Sequence, residues 1–436
     1  MLCGTYEVYE NRETRNGRKI ALNLAVLPAT GNDPAPDPIF YLAGGPGGSA
    51  VNAAGNFASS VLRQEREIVL IDQRGTGASN PLQCEMPGGA ENLQGYLDGD
   101  FKKTKPIKKC KRALKKIAKL KTYTAPVAVD DLDEIREAMG YEQINLIGNS
   151  WGSRTGLVYM RRHPERVRSA VLKSLVPLAI TYPLYHARGA QDAVDLILEE
   201  CAQDGSCAAA FPRIDRDFAA VVEELRGSRV PVTISHPDTG ERVEVMLSLK
   251  AFGEGVRWLM FVGPEWLPQL VHQASTGNYE PITQFTVDYR HMLGALKIGL
   301  LLSEICTTDV PRIHPTDIDR LTAGTFMGDT RVREVIRVCK KWPKGSLSPD
   351  FGDPVATEIP LLLWTGRFDS ASRPDWVKEA RRFLPNSVHI VVNEAHTPSG
   401  ACVDNVTRRF LNKGSARGLN KSCAQNIGLP PFEISD

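Results

Sequence analysis

Short apolar runs recur along the first part of the chain, separated by stretches with helical spacing. Pro38–Leu42 (PIFYL), Ile68–Ile71 (IVLI) and Ile144–Ile147 (INLI) carry no charged side chain. Such continuity marks strands buried on both faces of a parallel sheet. Between them, Val129–Gly140 places acidic residues early, Leu132, Ile135 and Met139 on one face and a glycine last. That arrangement predicts a helix with a defined start and stop. Val167–Pro177 reads as a further strand, and the strand–helix alternation predicts an α/β sheet, mostly parallel and flanked by helices.

The pattern changes after Pro177. Amphipathic helical stretches (QDAVDLILEECAQ, RVREVIRVCKKW) dominate to about Gly352, with one small β-like piece at VPVTISH and ERVEVML. Strand signals resume at Ile359–Gly366 and Ser387–Val392. The expected organisation is therefore a core from 1–177, a mainly helical cap insert from 178–352 and the rest of the core from 353–436. An insert so placed would sit over the carboxyl ends of the strands.

Composition narrows the class. A formal charge of +2 over 436 residues gives no global pull toward nucleic acid or membrane, and no apolar run approaches the roughly 20 residues of a membrane span. The lysine-rich segment Asp100–Lys121 reads as a solvated helix face, with Leu114, Ile117 and Leu120 turned inward. Nine cysteines without a Cys-x-x-Cys spacing argue against zinc or a redox dithiol. The pair in CAQDGSC fits a short loop closed by a Cys201–Cys207 bridge. Four disulfides and one odd cysteine would suit a secreted or periplasmic protein whose leader has been removed. No metal or organic cofactor is implied, and no feature fixes an oligomeric state.

The candidate chemistry lies at GNSWG. Gly148 and Gly152 flank Ser150 directly after a predicted strand and before a helical stretch, the context of a nucleophile elbow. A serine nucleophile needs a base, and the base needs a carboxylate to orient it. Asp369 follows the strand LLLW, and His396 follows VHIVV, each in a loop and in the order this architecture requires. The rival acids Asp375 and Glu379 fall in a helical stretch, and the other seven histidines lack this position. For the oxyanion, the N–H of Trp151 and one from Gly44 or Gly45 in YLAGGPGGSA are the candidate donors. A phosphate-loop reading of that glycine run fails for want of a Gly-Lys-Ser/Thr ending.

With these residues in place, the chain resembles the α/β-hydrolases related to proline iminopeptidase and the secreted tripeptidyl aminopeptidases. The resemblance is carried by GGPGGSA, DQRGTGAS (Asp72–Ser79), the segment ending in INLIGNSWGS, CAQDGSCAAAFP, SEICTTDVP, CKKWP and GRFD with NEAH. It implies an α/β-hydrolase fold with a helical cap, a Ser150–Asp369–His396 triad and export. It also implies the pairings Cys84–Cys110, Cys201–Cys207, Cys306–Cys339 and Cys402–Cys423, with Cys3 unpaired. In DQRGTGAS, Asp72 and Arg74 are expected to brace the loops beside the site. Related aminopeptidases hold the substrate's free amine through cap carboxylates, which would fall to Glu304 or Asp309. Two positions depart from that family's pattern, Thr308 and Lys173.

These readings converge on a serine hydrolase acting through an acyl-enzyme on a small peptide or ester. The first expectation is an aminopeptidase of prolyl or tripeptidyl type, and the alternative is a carboxylesterase. A carboxylate near the acyl site would separate the two. A remote alternative is a non-catalytic polyanion binder using the lysine-rich segment.

Overall fold

The computed structural model describes residues 1–85, 88–89, 92–99 and 104–434. Its 8-stranded sheet runs in the order β1-β2-β4-β3-β5-β6-β9-β10. The strands are β1 (Leu2–Tyr9), β2 (Lys19–Leu27), β3 (Ile39–Leu42), β4 (Ile68–Ile71), β5 (Ile144–Asn149), β6 (Val167–Lys173), β9 (Leu361–Gly366) and β10 (Ser387–Val392). A separate hairpin, β7 (Val230–Ser235) with β8 (Arg242–Leu247), lies within the insert. From β4 to β10 every pairing is parallel, whereas β2 runs antiparallel to both β1 and β4.

The apolar runs are continuous because both faces of the sheet are covered. Val69, Ile71, Leu146, Leu172, Leu361 and Leu363 pack in one cluster. Their neighbours Ile68, Leu70, Ile147, Val171, Leu362 and Trp364 pack on the opposite face. Alternation with period two thus divides each strand between two cores.

The larger differences from the sequence expectation are three. The hairpin β1–β2 is absent from the predicted elements, because β1 is an edge strand with largely exposed side chains and no apolar run. The helix predicted at Val129–Gly140 spans Ala125–Ala138, with Pro126 in its first turn, where a missing N–H costs nothing. The strand predicted to Pro177 stops at Lys173, because Ser174 turns the backbone to φ 52°.

Between β6 and β9 the chain is mainly helical, and the helices Tyr182–Gln203, Leu249–Val262, Ile298–Thr308 and Thr330–Cys339 frame the site. Val194, Ile197, Phe252, Leu259 and Val271 belong to a core of this region, which Phe368 from the loop after β9 joins. In the lysine-rich segment, residues 100–103 lie outside the described residues. The helix Thr104–Ile117 buries Ile107, Cys110 and Leu114, and Leu120 follows. Ile117, expected to face inward, is exposed, because the helix ends there and Ala118 takes the buried position. No helix among the described residues is long and apolar enough to cross a membrane.

All four disulfides implied by the resemblance are present, and Cys3 is free and exposed. They fit folding in an oxidising compartment. Cys306–Cys339 joins two buried half-cystines 33 residues apart and ties two insert helices together. Chain-entropy reasoning gives such a loop about 3–4 kcal/mol. Cys306→Ala/Cys339→Ala is expected to lower stability by about that amount in denaturant unfolding; an unchanged midpoint would refute this role.

Candidate active site

Ser150 sits between β5 and the helix Trp151–Arg162 with φ 54° and ψ −121°, a backbone conformation costly for any residue with a side chain. Close packing holds it there. A Cβ on Gly148 would come within 2.6 Å of the Gly152 carbonyl oxygen, and one on Gly152 within 1.9 Å of the Leu42 carbonyl oxygen. The two glycines therefore let the new helix start directly against the ends of β5 and its sheet neighbour β3. The Ser150 N–H donates to the Lys173 carbonyl of β6 at 2.9 Å, which fixes the turn from the other side.

His396 and Asp369 meet as expected. The imidazole Nδ1 lies 2.8 Å from Oδ2 and 2.9 Å from Oδ1 of Asp369. Asp369 is buried, and Oδ1 also accepts the N–H groups of Ala371 and Ser372 at 2.8 and 2.9 Å. Ser174, which no sequence signal singled out, donates its hydroxyl to Oδ2 at 2.6 Å and accepts the Thr397 N–H at 2.8 Å. It thereby clamps the acid loop to the histidine loop. Asp375 and Glu379 lie apart, paired with Arg373 and Arg382 on the helix Pro374–Ala380 and its flanks.

Ser150 and His396 line one cavity of about 510 Å³, together with Tyr41, Gly44, Gly45 and Asn149 from the core. No hydrogen bond joins the serine hydroxyl to the imidazole; such contacts commonly tighten only with substrate. Gly44 touches the serine closely, since a Cβ there would lie 3.2 Å from Ser150 Cβ. Trp151 opens its helix, so its N–H has no intrahelical acceptor. The glycine loop is anchored by Asp72, whose carboxylate accepts the Ser49 hydroxyl at 2.6 Å and the Val51 N–H at 3.1 Å. Arg74, fully buried, is held by Asp131 at 2.5 and 2.7 Å and by the carbonyls of Glu10 and Thr122.

Glu304 and Asp309, expected at the substrate amine, do not line this cavity. Asp309 is fully buried, pairs with Arg154 at 3.4 Å and accepts the Tyr182 N–H at 2.8 Å. It joins the serine-bearing helix to the start of the insert. Glu304 is buried behind the glycine loop, where Oε2 accepts the Ala125 N–H at 2.8 Å and Oε1 has no partner among the described residues. Burial pushes its carboxyl up to about 8, against the opposing pull of Arg154. The acids were legible in the sequence, but the face that each presents depends on how the insert docks.

The cavity wall opposite the serine comes from that insert: Tyr182, His186, Arg257, Trp258, Phe261, Tyr289 and Arg331. Phe261 lies edge-on to His396 with ring centroids 4.5 Å apart. None of these carried a motif, and no sequence signal marked His186 out from the other insert histidines.

Two expected outcomes follow from this packing. Gly152→Ala should lose about 3 kcal/mol in denaturant unfolding, because a backbone carbonyl must move; near-parental stability would show the turn to be compliant. For Glu304, the folded carboxyl binds its proton more tightly than the unfolded one. Its contribution is thus fully present below the model-peptide value of 4.5 and lost as pH rises through about 8. Glu304→Gln should flatten that part of the stability–pH curve, and a slope identical to the parent's would exclude the assignment.

The alpha/beta hydrolase fold family matches residues 37–196, and the TAP-like protein family matches residues 324–423. Serine protease Hip1 of Mycobacterium tuberculosis (strain ATCC 25618 / H37Rv) is 31% identical over 226 residues, 47% of this chain and 42% of that one. Proline iminopeptidase of Neisseria gonorrhoeae is 31% identical over 139 residues, 32% of each chain. Tripeptidyl aminopeptidase of Streptomyces coelicolor is 28% identical over 194 residues, 40% of this chain and 35% of that one. The matches thus span less than half the length of these curated relatives. Taken with the sheet order and the strand–serine–helix turn, they show that the chain has the α/β-hydrolase fold and is similar over these segments to serine-hydrolase enzymes.

Proposed function

We propose that the chain is a serine hydrolase working through an acyl-enzyme. Ser150 attacks a carbonyl carbon, and His396 takes the hydroxyl proton and returns it to the leaving group. Asp369 holds the imidazole in the tautomer that leaves Nε2 free to accept. The N–H groups of Trp151 and of Gly44 or Gly45 receive the oxyanion, aided by the positive end of the helix that Trp151 opens. Water then repeats the sequence on the acyl-enzyme. The observation that carries this reading is the buried Asp369 bonded to His396 Nδ1 in the same cavity as the strained Ser150.

The names of the relatives favour amide substrates. Cleavage from a free N-terminus, the first expectation, needs a carboxylate to hold the ammonium group. No Asp or Glu is among the described residues lining the cavity, and the charged side chains there are arginines. That observation favours the second expectation, hydrolysis of small esters, or of amides without a free amine.

Paired assays separate the possibilities. Short-chain p-nitrophenyl esters, aminoacyl and tripeptidyl p-nitroanilides, and N-acetylated versions of the anilides would be compared. Esters and blocked amides are expected to be cleaved at least as well as free-amine amides, and Ser150→Ala is expected to lose about 10³-fold or more. Parental turnover by Ser150→Ala would end the proposed mechanism. Cleavage confined to free-amine amides would restore the aminopeptidase reading.

A further inference from the structure

The polar groups of the insert wall form a connected cluster with excess positive charge. Arg257, on the helix Leu249–Val262, gives Nε and Nη2 to Glu254 Oε2 at 3.3 and 3.1 Å. Arg331, on the helix Thr330–Cys339, gives Nη1 to Glu254 Oε1 at 2.6 Å and Nε to His186 Nδ1 at 2.8 Å. A single carboxylate thus faces two guanidinium groups, both at the cavity. Arg257 Nη1 and Arg331 Nη2 make no hydrogen bond among the described residues. Because His186 Nδ1 accepts from Arg331, its proton sits on Nε2. That N–H is buried and has no acceptor among the described residues, and neither has the indole N–H of Trp258, also at the cavity.

Buried donors left unpaired are costly, and two arginines sharing one acid repel. Burial and the neighbouring Arg331 lower the Arg257 guanidinium to about 10, despite the attraction of Glu254. Burial alone would raise the Glu254 carboxyl, yet Arg331, Arg257 and Arg290 hold it far below its ordinary range. The imidazole of His186 is kept neutral by burial and by the same two arginines, so it remains a donor and not a third charge. Every unmet need in the cluster is for an acceptor carrying negative charge.

We infer that Arg257, Arg331 and His186 form a subsite for a carboxylate carried by the substrate, within the cavity that holds Ser150. The inference rests on the hydrolase reading above for the cavity's role and adds the substrate class: a carboxylate-bearing ester or amide. A carboxylate suits the cluster, since Arg257 and Arg331 share the one carboxylate of Glu254. Guanidinium groups bind planar carboxylates with paired, charge-assisted hydrogen bonds. The subsite lies within reach of the reaction: the Arg257 guanidinium is 5.7 Å from the Phe261 ring centroid, and that ring abuts His396. On the other side His186 packs on Tyr182 at 4.4 Å, which packs on Trp151 at 5.8 Å.

The test compares matched substrates that differ only in charge. On the acyl side these are the mono-p-nitrophenyl ester of glutaric acid and p-nitrophenyl pentanoate. On the leaving side they are p-carboxyphenyl acetate and p-carbamoylphenyl acetate. In at least one pair the wild-type protein is expected to favour the anion by about tenfold or more in kcat/KM. The preference should persist at high salt, because a buried site is screened far less than surface steering. Arg331→Gln should bring the ratio in that pair close to one, with its thermal unfolding followed alongside. Equal or reversed preference in both wild-type pairs, or a preference that vanishes with salt, would overturn the subsite whatever the variant does. Calorimetry with glutarate on Ser150→Ala reads the subsite without turnover. Binding there, with ester hydrolysis insensitive to Ser150→Ala, would sink the hydrolase mechanism and keep the subsite; the converse would sink the subsite alone.

Discussion

Backbone packed against backbone at the Ser150 turn sets the geometry of everything around it. The Leu42 carbonyl at the end of β3 leaves no room for a side chain on Gly152, and the Gly152 carbonyl leaves none on Gly148. With both side chains absent, the helix can begin at the very end of β5, and Ser150 is left in a conformation it would not choose alone. Because β3 and β5 are hydrogen-bonded neighbours, the glycine loop after β3 arrives beside the serine without further design. The other parts of the site come from adjacent strand ends in the same way. Asp72, after β4, anchors the glycine loop; Ser174, after β6, anchors the loops that follow β9 and β10. A parallel sheet places all these carboxyl ends along one edge, where α/β proteins bind their ligands.

What could be read from the sequence follows the same division. Strands covered on both faces announce themselves as uninterrupted apolar runs, so β4 and β10 were legible to the residue and β3, β5 and β9 nearly so. Ser150, Asp369 and His396 were legible because each directly follows such a run. The edge hairpin β1–β2 was not, since an exposed strand carries no such signal. Ser174 was not, because its role depends on a positive φ and on two loops distant in sequence. Glu304 and Asp309 were found as acids, yet neither lines the cavity. A helix stripe says which residues share a face, but not which face docks toward the cavity.

That gap matters most where the insert decides the chemistry. Under the proposed mechanism the loops after the strands supply nucleophile, base and oxyanion donors, which serve esters and amides alike. Selection therefore falls to the opposite wall, where the helices Tyr182–Gln203, Leu249–Val262 and Thr330–Cys339 bring His186, Arg257 and Arg331 together. No spacing in the sequence relates these residues. Only the docking of three helices does, and the first of them is tied at its start to Asp309, which pairs with Arg154 of the serine-bearing helix.

The charge of that wall also bears on the reaction itself. Under the proposed mechanism acylation turns His396 into an imidazolium, and a nearby uncompensated cation opposes it. At a separation on the order of 10 Å and an effective dielectric constant of about 20, one unit charge opposes another by roughly 1.7 kcal/mol, more than a tenfold effect on rate. The Phe261 ring lies 5.7 Å from the Arg257 guanidinium and 4.5 Å from the His396 ring, which bounds that separation. Under the proposed reading, a bound substrate carboxylate offsets the excess charge before the imidazolium forms. A neutral substrate leaves it in place. The same group that the insert recognises would then ease proton transfer, so binding and turnover would discriminate in the same direction.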